Sequence, residues 1–221
     1  MKKLSTTLIT IGILITALTL LVLRVNGVDW WQAVKNAVKR NFQTQTAIIE
    51  PKDVDKITIY TNDDPIKIMP ANDDLIKFKH YNSDDIEFMI DSSNGELIIR
   101  QHRKNSFRIG FNLYELVQSS RELTLYVPTN SNLTYAISTT NNDIEMFDIA
   151  TDDVSLSTSN AQIEAHIIGT ADAYRKDIKT TPYSILIING VKYSNVLKTS
   201  DGVKNLNIKT SNGDIKLDFL K

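Results

Sequence analysis

The sequence predicts an all-β fold, a β-solenoid of the right-handed β-helix type. Three observations lead to this prediction. A ten-residue pattern, clearest in IKTSNGDIKL at 208–217, recurs at least five times upstream. Copies starting at 137, 156, 178 and 197 are 19, 22 and 19 residues apart, close to one solenoid coil and longer than the roughly 8 to 12 residues of a meander. From Lys56 onward, apolar residues mostly alternate with polar ones, which is typical of strands.

Each copy of the pattern reads as a strand, a tight turn and a second strand. In the last copy, Ile208 and Thr210 share one face of an extended segment, and Ile215 and Leu217 resume the two-residue period. Asn212-Gly213 is expected to supply the positive φ angle of a tight turn. The pattern assigns these residues to turns: Asn62, Asn94, Gly95, Asn141, Asn160, Asn212 and Gly213. We expect a structural role first, because Asn and Gly are common turn formers, and a recognition surface along the turns as the alternative.

The repeat is not perfectly regular. The further copies are IYTNDDPIKI (59–68), IDSSNGELII (90–99), ISTTNNDIEM (137–146), LSTSNAQIEA (156–165), IKTTPYSILI (178–187) and a partial copy, LKTSDGVK, from Leu197. From Leu197 to Ile208 the spacing falls to 11 residues. This break favours a repeat closed by a hairpin, and it keeps an antiparallel β-sandwich as the alternative architecture. In either case neighbouring units are expected to bury one another's apolar faces.

The N-terminal region predicts a membrane anchor. Residues 4–23 form a 20-residue run without charge, and a helix of that length crosses roughly 30 Å of hydrocarbon. A cleaved signal peptide is the alternative, but the run is longer than a usual signal core and no Ala-x-Ala follows. The prediction is therefore a cytoplasmic tail at 1–3 followed by a single transmembrane helix at 4–23.

Residues 24–50 are predicted to form a juxtamembrane amphipathic helix and a linker. Tryptophans and basic side chains just beyond a spanning helix suit the membrane interface. The residues assigned to this interface are Trp30, Trp31, Lys35, Lys39 and Arg40. Charge counts at the two ends of the run leave the orientation open. The turn-rich, cysteine-free repeat domain at 51–221 looks exported, so we expect an extracytoplasmic body at the cell membrane.

Charge is unevenly distributed along the chain. The net charge is −1, but residues 1–50 carry six Lys or Arg against two acids, so the remainder carries −5. An acidic body argues against nucleic acid as its partner. The partners expected from the sequence are the membrane, through the N-terminal helix, and an envelope polymer or a membrane protein.

The sequence gives no motif for catalysis, and we predict no catalytic, cofactor-binding or metal-binding residue. Glu145 and Glu164 occupy equivalent repeat positions, but repetition alone would place these two carboxylates together. The acidic doublets 73–74 and 84–85 leave calcium as a weaker alternative, without the spacing of an EF-hand loop. No metal-binding spacing connects the histidines, which are His80, His102 and His166. The chain is therefore predicted not to be an enzyme.

A strand ending at Val127-Pro128, a polar turn, and serial turns at Ser159-Asn160 and 211–215 resemble one known family. It is the bacterial putative-adhesin family of LiaG-like domains of unknown function, and the resemblance covers roughly residues 52–221. The chain departs from the family pattern at Ala161 and Pro182, where Gly or Asn is usual. The resemblance implies an extracytoplasmic β-repeat domain of the cell envelope, with no established chemistry.

Two functions follow as hypotheses. The first is a non-enzymatic adhesin or surface-interaction module. The alternative is an accessory or regulatory component of a cell-envelope stress-response system, acting through residues 4–42. A carbohydrate-active enzyme on a β-helix is a third and less favoured possibility.

Overall fold

The computed structural model describes residues 43–51, 54–82, 86–103, 122–129 and 131–221. These residues form β-strands, turns and short 3-10 segments such as Ala171–Ala173. Within them, no helix is long and apolar enough to span a bilayer. The transmembrane helix and the interface residues Trp30, Trp31, Lys35, Lys39 and Arg40 lie outside the described residues and stay predictions.

Seventeen strands of the described chain build two sheets. The nine-stranded sheet A has the order β1 (Gln43–Ile49), β4 (Ile76–Asn82), β7 (Leu123–Pro128), β3 (Ile66–Ala71), β9 (Ile144–Ala150), β11 (Ile163–Ile168), β17 (Ile215–Leu220), β13 (Leu186–Ile188), β14 (Val191–Tyr193). The eight-stranded sheet B has the order β15 (Val196–Lys198), β12 (Tyr174–Lys179), β16 (Lys204–Thr210), β10 (Asp153–Thr158), β8 (Thr134–Ser138), β2 (Val54–Tyr60), β6 (Gly95–Arg103), β5 (Ile86–Ser93).

The copies that start at 59, 137, 156, 178 and 208 each contribute one strand to each sheet, and each so forms one rung of a stack. A strand of sheet B is followed, after a corner, by a strand of sheet A, and the rungs pair in parallel through both sheets. This architecture confirms the all-β, solenoid-like prediction. The antiparallel sandwich is wrong for the central strands, because antiparallel pairing is confined to β4, β5, β14 and β15 with their neighbours.

The rungs do not stack in chain order. Along the stack the order is β6/β7, β2/β3, β8/β9, β10/β11, β16/β17, β12/β13. The C-terminal rung β16/β17 is therefore inserted between two rungs that precede it in the chain. The short 11-residue step before Ile208 has a separate reason: the partial copy from Leu197 lies in the antiparallel edge strand β15, so no rung begins there.

Three segments differ from the sequence predictions. The copy at 90–99 folds back within sheet B as the β5–β6 hairpin, since Asn94 and Gly95 both have positive φ angles, 53° and 78°. The partial copy from Leu197 contains the edge strand β15, not a rung. Part of the predicted linker, Gln43–Ile49, is the edge strand β1 of sheet A. Its Gln and Thr residues lack the apolar alternation by which the other strands were recognised.

Equivalent apolar residues of the repeats stack in rows inside the two sheets. Ile208 lies in register between Leu156 and Ile178, and Ile215 lies between Ile163 and Leu186. All these side chains are buried, and burying each one contributes roughly 1.5 to 3 kcal/mol. The rows explain why the two-residue period of the sequence continues through every rung.

An aromatic cluster closes the β4/β5 end of the stack. The ring of His80 lies 5.3 Å from that of Phe78 and 5.4 Å from that of Phe88, and the ring of Tyr81 lies 5.7 Å from that of Phe88. Phe78, His80, Tyr81 and Phe88 are all buried. Burial lowers the pKa of His80, because a charged imidazolium is poorly solvated among aromatic rings.

The buried His80 makes this end of the domain sensitive to acid. Because its pKa is lowered on folding, its contribution is fully present above the unfolded value of 6.5 and is lost as the pH falls below that value. We expect His80→Phe to flatten the decrease in thermal stability between pH 6.5 and about 5, where ordinary carboxylates remain ionised. Melting temperatures of both proteins across this range test it, and an unchanged acid slope in the variant would contradict it.

Candidate functional site

Buried threonines hold the corner at which sheet B strands pass into sheet A. The hydroxyl of Thr158 donates to the carbonyl of Asn142 at 3.2 Å, and that of Thr210 donates to the carbonyl of Ala161 at 3.1 Å. The members of this row are Thr61, Thr139, Thr158, Thr180 and Thr210. Four of these threonines link their corner to the neighbouring rung, whereas Thr61 donates to the carbonyl of Asp64 in its own corner at 3.3 Å. The Thr of the repeat is therefore structural.

An amide ladder runs along the outside of the same corner. The side-chain Nδ2 of Asn141 donates to Asp63 Oδ1, that of Asn160 donates to Asn141 Oδ1, and that of Asn212 donates to Asn160 Oδ1, each at 2.8 Å. These four residues belong to consecutive rungs of the stack. The ladder satisfies most of the polar side chains that the sequence offered as a recognition row.

Asp63 fixes the direction of the ladder. A carboxylate only accepts hydrogen bonds, so Asn141 must turn its NH2 group toward Asp63 and its carbonyl oxygen away. The same constraint passes through Asn160 to Asn212. Arg103 lies 3.8 Å from Asp63 at the ladder's beginning. The other end is therefore the carbonyl oxygen of Asn212, facing the β12/β13 rung.

The remaining predicted turn residues have other places. Asn62 lies one position before the ladder and uses its backbone, its N–H donating to Gln101 Oε1 at 2.8 Å and its carbonyl accepting from Asn141 N at 2.9 Å. Asn94 and Gly95 lie in the β5–β6 hairpin, away from this corner. The predicted positive φ angle at Asn212-Gly213 is wrong, since neither residue has one. Gly213 is required by space, because a Cβ there would lie 1.7 Å from the carbonyl oxygen of Ala161.

The outer face of sheet A carries the two glutamates that a glycosidase would need. Glu145 and Glu164 are register partners, but Lys67 lies 3.3 Å from Glu145 and Lys216 lies 2.5 Å from Glu164. The hydrogen bond from Lys216 holds the pKa of Glu164 below its usual range. A general acid needs a raised pKa, so Glu164 lacks the property that acid catalysis requires.

His166 lies among carboxylates on the same face. Its Nε2 is 3.4 Å from Glu164 and 3.8 Å from Asp218, and its Nδ1 is 4.0 Å from Asp148. Its ring packs edge-on against Phe147, with 5.0 Å between centroids. Within the described ranges, no group of three or more His, Asp or Glu side chains has a geometry that could hold a metal ion.

A groove lies at the end of the amide ladder. Six residues separate Lys179 from Leu186, whereas four separate Thr210 from Ile215, so the last corner extends beside its neighbour. The groove has a volume of about 400 Å³, within the roughly 300 to 1,000 Å³ of ligand pockets. Its lining includes Gln162, Thr181, Tyr183, Ser184, Asn212 and Asp214.

The β13–β15 end of the stack exposes apolar side chains that belong to the core face. Val191 and Tyr193 pair across the hairpin with Ile188 and Leu186, which are buried, and directly paired residues point to the same face. Yet Val191 is 57% exposed and Tyr193 is 40% exposed. We call this exposed core-face surface, formed by Val191 and Tyr193, the open end.

The chain segment that surrounds the open end is basic. Residues 171–204 contain six Lys or Arg against three Asp, a net +3, while the rest of the 51–221 region carries −8. Lys179, Lys192 and Lys198 form no ion pair with any described residue. The sequence analysis missed this surface, although the local charge reversal could have been counted from the sequence.

The geometry defines a two-sheet, solenoid-like repeat domain with packed interior rows and two candidate binding surfaces at one end. The chain belongs to the Toastrack DUF4097 family, whose model matches residues 54–221. This finding confirms the resemblance to adhesin-like domains of unknown function. No curated protein is similar enough to the chain to count as a relative.

Several solved structures are similar to the chain. One, described as a putative cell adhesion protein from Clostridium sporogenes, aligns with a TM-score of 0.50 at 15% identity, over 81% of this chain and 100% of that one. Putative adhesins from Bacteroides fragilis and Parabacteroides distasonis align with TM-scores of 0.27 and 0.24 at 11% and 9% identity, over 80% of this chain and 97% of theirs. The likeness to the Clostridium protein shows a shared fold.

Proposed function

We propose that this chain is a non-enzymatic surface-interaction module that binds an acidic protein partner through its open end. The observation that carries the proposal is the exposure of Val191 and Tyr193 on the core face of sheet A. A solenoid end normally needs a polar cap to stay soluble. The opposite end, by contrast, buries its aromatic cluster. The names of the similar structures, which are putative adhesins, support an interaction role.

The open end has features that select a protein. The strands β14 and β15 are the edge strands of their sheets, and an edge strand offers backbone groups that pair with a partner's strand. A polysaccharide cannot make that pairing. Their shortness, three residues each, and their lysines limit indiscriminate strand addition. The unpaired lysines favour an acidic partner and disfavour a second open end.

The open end lies far from the N-terminal edge of the domain. The strand β1 and the strand β14 occupy opposite edges of the nine-stranded sheet A, and eight strand spacings of about 4.8 Å amount to about 38 Å. The stack therefore separates the open end from the sheet edge that β1 forms. The membrane anchor, the envelope location and the stress-response alternative all concern residues 1–42 or the cellular setting, and they stay predictions.

Photocrosslinking in the producing cells tests this function. A photoreactive residue replacing Val191 in the full chain is expected to yield a discrete protein adduct, whereas one replacing Met89, exposed on the edge strand β5, yields none. The charge reversal K192E/K198E should reduce the adduct roughly tenfold or more. An adduct that survives the reversal, an equal yield from position 89, or an adduct with another copy of this chain would refute the proposal.

A further inference from the structure

We propose that the corner groove beside Tyr183 binds a neutral, hydroxyl-rich ligand, a polysaccharide chain. This inference does not rest on the proposed function, because the groove and the open end consist of different residues. Three features of the groove support the inference. They are the end of the amide ladder, the mixture of hydrogen-bond donors and acceptors in the lining, and the fully exposed ring of Tyr183.

The amide ladder ends in an acceptor, Asn212 Oδ1, to which no described residue donates. Asp63 imposes one direction on the whole ladder, so Asn212 donates to Asn160 and turns its Oδ1 toward the next rung. That rung has Pro182 at the equivalent place of the repeat, and proline cannot continue the amide chain. A ligand that donates a hydrogen bond at this point would extend the ladder by one member.

The other polar groups around the groove include both hydrogen-bond donors and hydrogen-bond acceptors. Asp214 uses Oδ1 to accept from Ile185 N at 2.7 Å, which leaves its second oxygen available. The side-chain amide of Gln162 has no hydrogen-bond partner among the described residues. The hydroxyls of Thr181 and Ser184 lie 3.2 Å apart and share one hydrogen bond, so one proton remains to be donated.

This mixture selects hydroxyl groups as the ligand chemistry. An ammonium group only donates and a carboxylate or phosphate only accepts, whereas each hydroxyl does both. No Lys or Arg is among the described residues that line the groove, which disfavours an anionic ligand. A neutral sugar meets these conditions.

Tyr183 supplies the apolar contact that such a ligand needs. Its side chain is 100% exposed and lines the groove next to the ladder's end. A rigid aromatic ring with a polar tip suits a ligand with an apolar face and a hydroxylated rim. The corner below it is held in place, because Thr180 Oγ1 donates to the carbonyl of Gly213 at 2.8 Å and Ile215 N donates to that of Ile185 at 2.9 Å.

Titration with defined oligosaccharides tests the inference. The full chain, purified in a detergent without a sugar head group, is titrated with maltohexaose, cellohexaose and N-acetylchitohexaose, with hexalysine as the cationic comparison. We expect at least one neutral sugar to bind in the millimolar range or tighter and to shift the side-chain NH2 resonances of Asn212. No binding by any of the three sugars, or binding of hexalysine alone, would overturn the inference.

Substitutions then locate the site. Tyr183→Ala should weaken sugar binding about threefold to tenfold. Because the Tyr183 side chain is fully exposed, its removal should not disturb folding. Asn212→Ala should weaken it about fivefold to tenfold. Tyr60→Ala removes an exposed tyrosine elsewhere and should retain binding. Asn160→Ala leaves the groove acceptor in place but removes the hydrogen bond that orients it, so it should weaken binding less than Asn212→Ala does. Equal losses in Asn160→Ala and Asn212→Ala, or unchanged binding in Tyr183→Ala, would contradict a site in the groove.

Discussion

Truncation after Val203 is expected to release two rungs of the stack rather than one. The missing strands β16 and β17 are the parallel partners of β10 and β11 on one side and of β12 and β13 on the other. Apart from them, β12 pairs only with the edge strand β15, and β13 only with β14. Residues 171–203 would then lose their parallel contacts with the rest of the domain, although none of them is deleted.

Hydrogen exchange of the truncated protein measures this effect. Backbone amides of β12 and β13 are expected to lose their protection completely, while those of β2 and β8 near the other end keep much of theirs, because solenoid stability is largely a sum of neighbouring interfaces. Deleting Lys221 alone serves as the control and should leave every strand protected. A synthetic peptide of residues 204–221 should restore protection to 174–188 when added. Persistent protection of β12 in the truncated chain would contradict the inserted-rung topology.

The inserted rung also shows what the sequence could and could not predict. The local pattern correctly located the strands and corners of five rungs, since apolar alternation and turn residues are local signals. The pattern copies in these rungs start at 59, 137, 156, 178 and 208. The pattern could not give the order of stacking, because every rung offers the same Ile and Thr positions to its neighbours. The 11-residue step before Ile208 showed that the repeat breaks there and favoured closure by a hairpin, but it did not give the order of the rungs.

Two similar stretches show a second limit of local patterns. IDSSNGELII and IKTSNGDIKL share the Ser-Asn-Gly turn and the flanking apolar residues. The first nevertheless forms a hairpin and the second a corner between sheets. In the hairpin, Asn94 and Gly95 adopt positive φ angles, and Ser93 pairs directly with Glu96. At the corner, Gly213 has no positive φ angle and packs against Ala161 of the adjacent rung. The neighbouring rung, which the sequence does not identify, decides between these outcomes.

The candidate binding surfaces were harder to predict than the fold. The sequence offered the polar turn residues as an alternative recognition surface. In the structure, hydrogen bonds of the threonine hydroxyls and of the amide ladder already use most of their polar groups. The groove lies where the last corner is two residues longer than its neighbour, and the open end exists because no rung follows β12/β13. Both surfaces arise where the repeat stops, so the repeat pattern of the sequence does not predict them.

The second large effect is expected from Gly213→Ala. A Cβ at this position would lie 1.7 Å from the carbonyl oxygen and 2.3 Å from the carbonyl carbon of Ala161. Because both are backbone atoms, no change of side-chain rotamer relieves the clash, and the corner at 211–214 must move away from the corner at 159–162. That movement would also break the hydrogen bonds from Thr210 to Ala161 and from Asn212 to Asn160. We expect a loss of roughly 4 kcal/mol or more in the free energy of unfolding.

Gly190→Ala provides the matched control for this prediction. Gly190 has a φ angle of 75°, and no atom lies within 4 Å of a Cβ placed there, so its substitution introduces backbone strain without a clash and should cost only about 1 kcal/mol. Thermal or chemical unfolding of both variants separates the two causes, since positive φ predicts the larger loss at Gly190 and rung packing predicts it at Gly213. The amide signals of Asn160 and Asn212 should shift in Gly213→Ala alone. Comparable stability of the two variants would contradict the prediction, because it would show that the corners at Ala161 and Gly213 can separate at little cost.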